Sequence, residues 1–87
     1  MDTKWITSFR KKLDDHYSWP SLYMFKFIVP TGKEDEVKRL FPRHATREKV
    51  SQKGNYTSVT IQMMMPSSDA VIEVYVKASH IEGIVAL

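Results

Sequence analysis

The chain has 87 residues, no cysteine, 13 Lys and Arg against 10 Asp and Glu, and a formal net charge of +3. That length suits one small domain of modest buried surface, and the missing thiols exclude disulfides and zinc–thiolate sites as a means of stabilising it. Hydrophobic residues at 43% argue against a disordered chain, and the lack of cysteine fits a reducing compartment.

Residues 3 to 17 predict an amphipathic helix. Trp5, Ile6, Phe9, Leu13 and the His16/Tyr17 pair recur at helical spacing, while Lys4, Arg10, Lys11 and Lys12 occupy other positions. A basic amphipathic helix can lie on a membrane, but this one is short and carries Asp14 and Asp15, so packing on its own domain is expected. The first ten residues hold no continuous apolar run, which predicts neither a secretory leader nor a membrane-spanning helix, and the expected location is the cytoplasm. Ser18-Trp19-Pro20-Ser21 ends the helix, because proline restricts itself and the residue before it.

Leu22 to Val29 predicts a strand: short, aromatic-rich and bounded by prolines. Tyr23, Phe25, Phe27 and Val29 fall on one face, and Leu22, Met24, Lys26 and Ile28 on the other. With both faces largely apolar, the strand is expected to be central. Thr31-Gly-Lys-Glu34 has the form of a capping box. It predicts a helix with Glu34, Asp35 and Glu36 in its first turn, Lys38 and Arg39 near its end, an apolar side of Val37, Leu40 and Phe41, and Pro42 as its stop.

Thr46 to Gln52 is polar and suits an edge strand. Lys53-Gly54-Asn55 reads as a tight turn in which glycine and asparagine both supply positive φ. Tyr56 to Met65 then alternates as a strand. Thr57, Val59, Ile61 and Met63 make the expected core face, and Tyr56, Ser58, Thr60, Gln62 and Met64 the other. Residues 68 to 79 carry two patterns. Ile72, Val74, Val76 and Ala78 alternate as in a strand, whereas Val71, Val74, Tyr75 and Ala78 make a helical stripe behind a Ser67/Ser68/Asp69 cap. Ile81 to Leu87 reads as a terminal strand. With a helix at 68 to 79, the order after the N-terminal helix is βαββαβ.

Two motifs carry a family resemblance. Trp19-Pro20 followed by Tyr23, Phe25 and Lys26 enters the first strand, and Ser51, Lys53, Gly54, Asn55, Tyr56, Ser58 and Val59 form the hairpin. In both the chain resembles the YbeD-like proteins, small bacterial proteins classed as a domain of unknown function, over roughly residues 19 to 87. The terminal run Ile81 to Leu87 matches in character. The resemblance implies an α+β, ferredoxin-like βαββαβ fold similar to ACT-type regulatory domains: a four-stranded antiparallel sheet with two helices on one face. It selects the helix for residues 68 to 79. The chain then divides into a helical segment at 1–18 and a ferredoxin-like domain at 19–87. The segment between first strand and hairpin is shorter than is usual in the family, so its helix is expected to be clipped, and the N-terminal helix is an addition or a divergence. The resemblance supplies no catalytic residues.

Few residues suggest chemistry. His16, His44 and His80 lie far apart and share no motif with carboxylates, so no metal or other cofactor is expected. Glycines 32, 54 and 83 build no phosphate loop. Ser58 would need a base and an orienting group to act as a nucleophile, and a plain strand serine is the simpler reading. The expectation is a non-catalytic module, regulatory or ligand-sensing, acting through a protein partner or a small molecule. With both helices on one side, the opposite sheet face must be solvated, covered or bound. The N-terminal helix or a second copy of the chain would serve to cover it. Lys26, Tyr56 and Ser58 form the candidate partner patch, next to the motif residues Lys53, Gly54 and Asn55. The alternative is nucleic-acid binding through the basic strip Lys38, Arg39, Arg43, Arg47, Lys49 and Lys53, opposed only by Glu48. That strip also reads as a solvated edge protected by charge. RNA-recognition domains of this topology stack bases on rings of the first and third strands. Here Phe25 and Phe27 are expected to face inward, which leaves Tyr56 as the one outward ring.

Overall fold

The computed structural model describes residues 3–87; the first two residues of the expected N-terminal segment lie outside it. The described elements are α1 (Thr3–His16), β1 (Ser21–Pro30), α2 (Glu34–Lys38), β2 (Arg47–Val50), β3 (Tyr56–Met65), α3 (Ser68–Ala78) and β4 (Val85–Ala86). The strands form one antiparallel sheet in the order β2-β3-β1-β4, so β1 and β3 are central, as the two-sided apolar character of β1 predicts for that strand. This is the ferredoxin-like arrangement with a helix placed before it.

The core lies between the sheet and the helices. Phe25, Phe27 and Val29 of β1 and Val59 and Ile61 of β3 are sealed from solvent against Val37, Phe41, Val71, Ile72 and Tyr75. The rings of Phe25, Phe27, Phe41 and Tyr75 pack on one another at centroid distances of 5.4–6.4 Å, a spacing at which edge and offset contacts are favourable. Residues 68 to 78 are helical because the stripe Val71, Ile72, Tyr75 and Ala78 fits this core, and the Ser67 side chain caps the start by accepting the Ala70 N–H at 3.2 Å. The Tyr23 and Tyr75 hydroxyls meet at 2.9 Å inside the core.

α1 does not cover the open sheet face. It packs on the helical side, where Leu13 is buried in the core and Phe9 meets Tyr75 edge-on at 5.4 Å. Arg10 pairs with Asp69 of α3 at 2.7 Å, and the Trp19 indole N–H donates to Asp14 at 2.9 Å. Leu13 joins the core and Phe9 and Ile6 pack against it on that side, and the expected role of residues 3 to 17 as a cover for the open face is corrected accordingly.

Three local expectations change. The capping box at Thr31 does not form: Lys33 holds the N-cap position without a side-chain bond. Thr31 is retained by the sheet, its N–H on the Asn55 carbonyl at 3.0 Å and its hydroxyl 3.1 Å from that of Thr57. The Glu34 carboxylate instead accepts the Gly32 N–H at 2.9 and 3.0 Å. α2 ends at Lys38 rather than at Pro42. Tight turns from Leu40 to Val37 and from Phe41 to Lys38 carry Phe41 into the core, which is the clipping anticipated. In the hairpin Gly54 alone has positive φ, +78°. Asn55 stays in ordinary space because its carbonyl receives Thr31 and the next residue, Tyr56, closes on Ser51 at 2.7 Å. The terminal strand shrinks to Val85–Ala86, since Ile81 is drawn into the core and Gly83 turns the chain at φ +77° against the Pro30 ring.

Candidate functional site

The open face is set by strand register. Antiparallel partners share a face, and the buried partners Phe27↔Val59 and Phe25↔Ile61 fix which one is inside. The rows of the outer face follow. Leu22 lies beside Met64, and Met24 beside Gln62. Arg47, Thr60 and Lys26 form the next row, and Lys49, Ser58, Ile28 and Val85 the one after it. Pro30 beside Tyr56 closes the series. Leu22, Met24, Tyr56, Met64 and Val85 are each 50–57% exposed, an apolar set on both sides of the Arg47–Thr60–Lys26 row that no described element covers.

Three cations sit among them. Lys26 and Arg47 flank Thr60 on neighbouring strands, about 10 Å apart by strand spacing, and Lys49 lies two residues along from Arg47. None of the three pairs with a carboxylate among the described residues. None of the residues that the register assigns to this face is acidic. Glu48, between Arg47 and Lys49 in sequence, points the other way, opposite Val59, and binds Lys38 at 2.8 Å. That contact raises the Lys38 pKa, chiefly through the hydrogen bond to Glu48.

Two depressions open on this face. One, of about 540 Å³, is lined by Ile28, Lys49, Ser51, Gln52, Tyr56 and Ser58 among others. The other, of about 220 Å³, is lined by Met24, Arg47, Thr60 and Gln62 with Ala45 and Thr46. The Ser51 and Ser58 hydroxyls serve the hairpin as well: Ser51 accepts the Tyr56 N–H at 3.2 Å and Ser58 donates to the Lys49 carbonyl at 3.4 Å.

The predicted residues are distributed unevenly over this geometry. Of the patch Lys26, Tyr56 and Ser58, the last two line one depression. Lys26 lies beside Thr60, diagonal to Ser58, because Ile28 takes the place opposite Ser58. Gly54, Asn55 and Lys53 stay at the hairpin tip. The basic strip divides: Arg47 and Lys49 join the open face, whereas Lys38 is drawn toward Glu48 and Asp35, and Arg39 and Arg43 follow it on the turn after α2. Sequence reasoning missed that Arg47, Lys49 and Lys26 form one group. The signal was present in the alternation of Arg47, Glu48 and Lys49, but it became readable only with the register of β2 on β3. Among the described residues no group of three His, Asp or Glu could hold a metal ion, and no helix is long and apolar enough to cross a membrane.

The profile of a family described as "Protein of unknown function (DUF493)" matches residues 14–87, from the end of α1 to the C-terminus. A UPF0250 protein of Shewanella sp. strain ANA-3 is 31% identical over 80 residues, which cover 84% of this chain and 91% of that protein. A UPF0250 protein of Shewanella oneidensis is 30% identical over the same coverage, and one of Shewanella amazonensis is 31% identical over 78 residues, 82% of this chain and 89% of its own. No solved structure matches the chain. A match that runs through the whole sheet, the strand-entry and hairpin motifs and α3 is a match to the fold itself, and the chain belongs to the DUF493 family, the YbeD-like small bacterial proteins.

Proposed function

We propose that the protein is a non-catalytic regulatory or ligand-sensing module of the cytoplasm, acting through a protein partner or small molecule held on its open sheet face. One observation carries this reading. Among the described residues five large hydrophobic side chains stand at least half exposed on a single face, while the core and the helices α1, α2 and α3 lie on the other. A patch of that kind is costly to leave bare and marks an interaction site. A second copy of the chain is one candidate occupant, giving a homodimer.

The test is native mass spectrometry of the protein taken from cells, with Met24→Glu as the probe of the face. A bound mass or a dimer that disappears in Met24→Glu supports the reading. A bare monomer in both proteins overturns it. Nucleic-acid binding is the second reading, favoured by the adjacency of Arg47 and Lys49 on the open face. It ranks lower because Phe25 and Phe27 are sealed in the core and Tyr56 is the one exposed ring on the face. An affinity for single-stranded RNA that falls steeply with salt would promote it.

A further inference from the structure

We infer that the occupant of the open face is an acidic protein segment whose carboxylates engage Lys26, Arg47 and Lys49 while flanking apolar residues fill the two depressions. The inference rests on the proposed function and names the chemistry of the partner.

The geometry is that of a divided site. The row Arg47–Thr60–Lys26 crosses the middle of the face, with Lys49 one row further on. All three cations lack a carboxylate partner among the described residues, although Arg10, Lys33, Lys38 and Lys77 each have one. On one side of the row lie Met24, Leu22 and Met64; on the other lie Ile28, Tyr56 and Val85. One depression carries Lys49 with Ile28 and Tyr56, the other Arg47 with Met24. Each joins one cation to an apolar wall. The complement is a segment with acidic residues at its centre and apolar residues on both sides. An extended segment of about nine residues spans the rows from Leu22 to Pro30 at roughly 3.4 Å per residue.

The same charges disfavour the other occupants. A second copy laid face to face brings six cations together at sheet-packing distance with no acid assigned to either face by the register. Nucleic acid would satisfy the cations, but Leu22, Met24, Met64 and Val85 offer aliphatic surface where unstacked bases need rings.

The experiment uses the full chain, isotope-labelled for amide NMR, and three synthetic peptides. The first has a central run of glutamates flanked by leucine and phenylalanine; in the other two the glutamates become glutamine or lysine. The expected result is that the acidic peptide shifts amides of β1, β2 and β3 facing the open side, and that its affinity weakens about tenfold or more between low and moderate salt. The triple variant Lys26→Gln/Arg47→Gln/Lys49→Gln should lose that binding while keeping its melting temperature; if it does not fold, the single variant Lys26→Gln, expected to weaken binding severalfold, replaces it. Equal binding of the glutamine peptide at the same face overturns the acidic chemistry and leaves the proposed function standing. No shift of the open face by the acidic peptide overturns the inference. So does a dimer that excludes the peptide in sedimentation, or tighter binding of oligouridylate at the same amides.

Discussion

The Tyr23–Tyr75 hydroxyl pair offers a sharp test of how this core is built. The two oxygens lie 2.9 Å apart, and the side chains are 9% and 7% exposed. Tyr75→Phe removes the hydroxyl that Tyr23 bonds and leaves the Tyr23 hydroxyl without that partner inside the core. An orphaned buried hydroxyl costs about 2 kcal/mol, which in a domain of this size lowers the melting temperature by about 10 °C. Tyr23→Phe should cost a similar amount. The double variant Tyr23→Phe/Tyr75→Phe removes both polar groups, so its loss should fall well below the sum, with a coupling of about 1–2 kcal/mol in a double-mutant cycle. Urea unfolding followed by circular dichroism measures all four proteins. Additive losses, or single variants within a few tenths of a kcal/mol of the parent, would refute the reasoning and imply that water already serves these hydroxyls. The pair also has a pH signature. Burial raises the pKa of both phenols, most strongly that of Tyr75, where the bond to Tyr23 adds to the effect. A raised folded-state pKa gives stability that is complete below the unfolded value and lost as pH rises through the folded one. Stability should therefore decline above about pH 10, and the double variant should flatten that decline.

Other expectations follow from single contacts. Gly83→Ala places a Cβ 2.7 Å from the Pro30 ring at φ +77°, whereas Gly54→Ala, at φ +78°, meets nothing within 4 Å. Gly83→Ala should cost about 2 kcal/mol or more and Gly54→Ala about 1, and equal losses in denaturant melts would contradict the close approach. Leu13→Ala should destabilise the whole domain by about 2–4 kcal/mol, because Leu13 is 4% exposed within the core; an unchanged urea midpoint would mean that α1 does not dock. The Glu34 carboxylate, held below its ordinary pKa chiefly by the Gly32 N–H, stabilises the turn above its unfolded pKa and ceases to do so as pH falls through the lowered one. The stability difference between the parent and Glu34→Gln should therefore be present at neutral pH, begin to shrink below about pH 4 and vanish as pH falls through the lowered pKa; a pH-independent difference in acid titration would count against the contact. Met24→Glu, on the exposed face, should leave the melting temperature nearly unchanged while abolishing whatever mass copurifies.

The sequence by itself determined most of the secondary structure, and it did so where one periodicity ran without competition. The alternation of Tyr23, Phe25, Phe27 and Val29 and of Thr57, Val59 and Ile61 named both central strands and the face each would bury. The turn at Gly54 and the cap at Ser67 were legible because few residues tolerate those positions. Residues 68 to 78 carried both periods at once, and only a core able to receive Val71, Ile72 and Tyr75 together makes the helical one the better fit. Tertiary structure also decided matters that involve two distant segments. Thr31 looked like a cap, but the ladder to Asn55 and the hydroxyl of Thr57 claimed it. The basic strip looked like one surface, but pairing of β2 on β3 turned Glu48 toward Lys38 and sent Arg47 and Lys49 to join Lys26, more than twenty positions away in sequence. Periodicity reports which residues share a face of one element; which elements share a face is set by register and packing, and the grouping of charge on the open sheet is of that second kind.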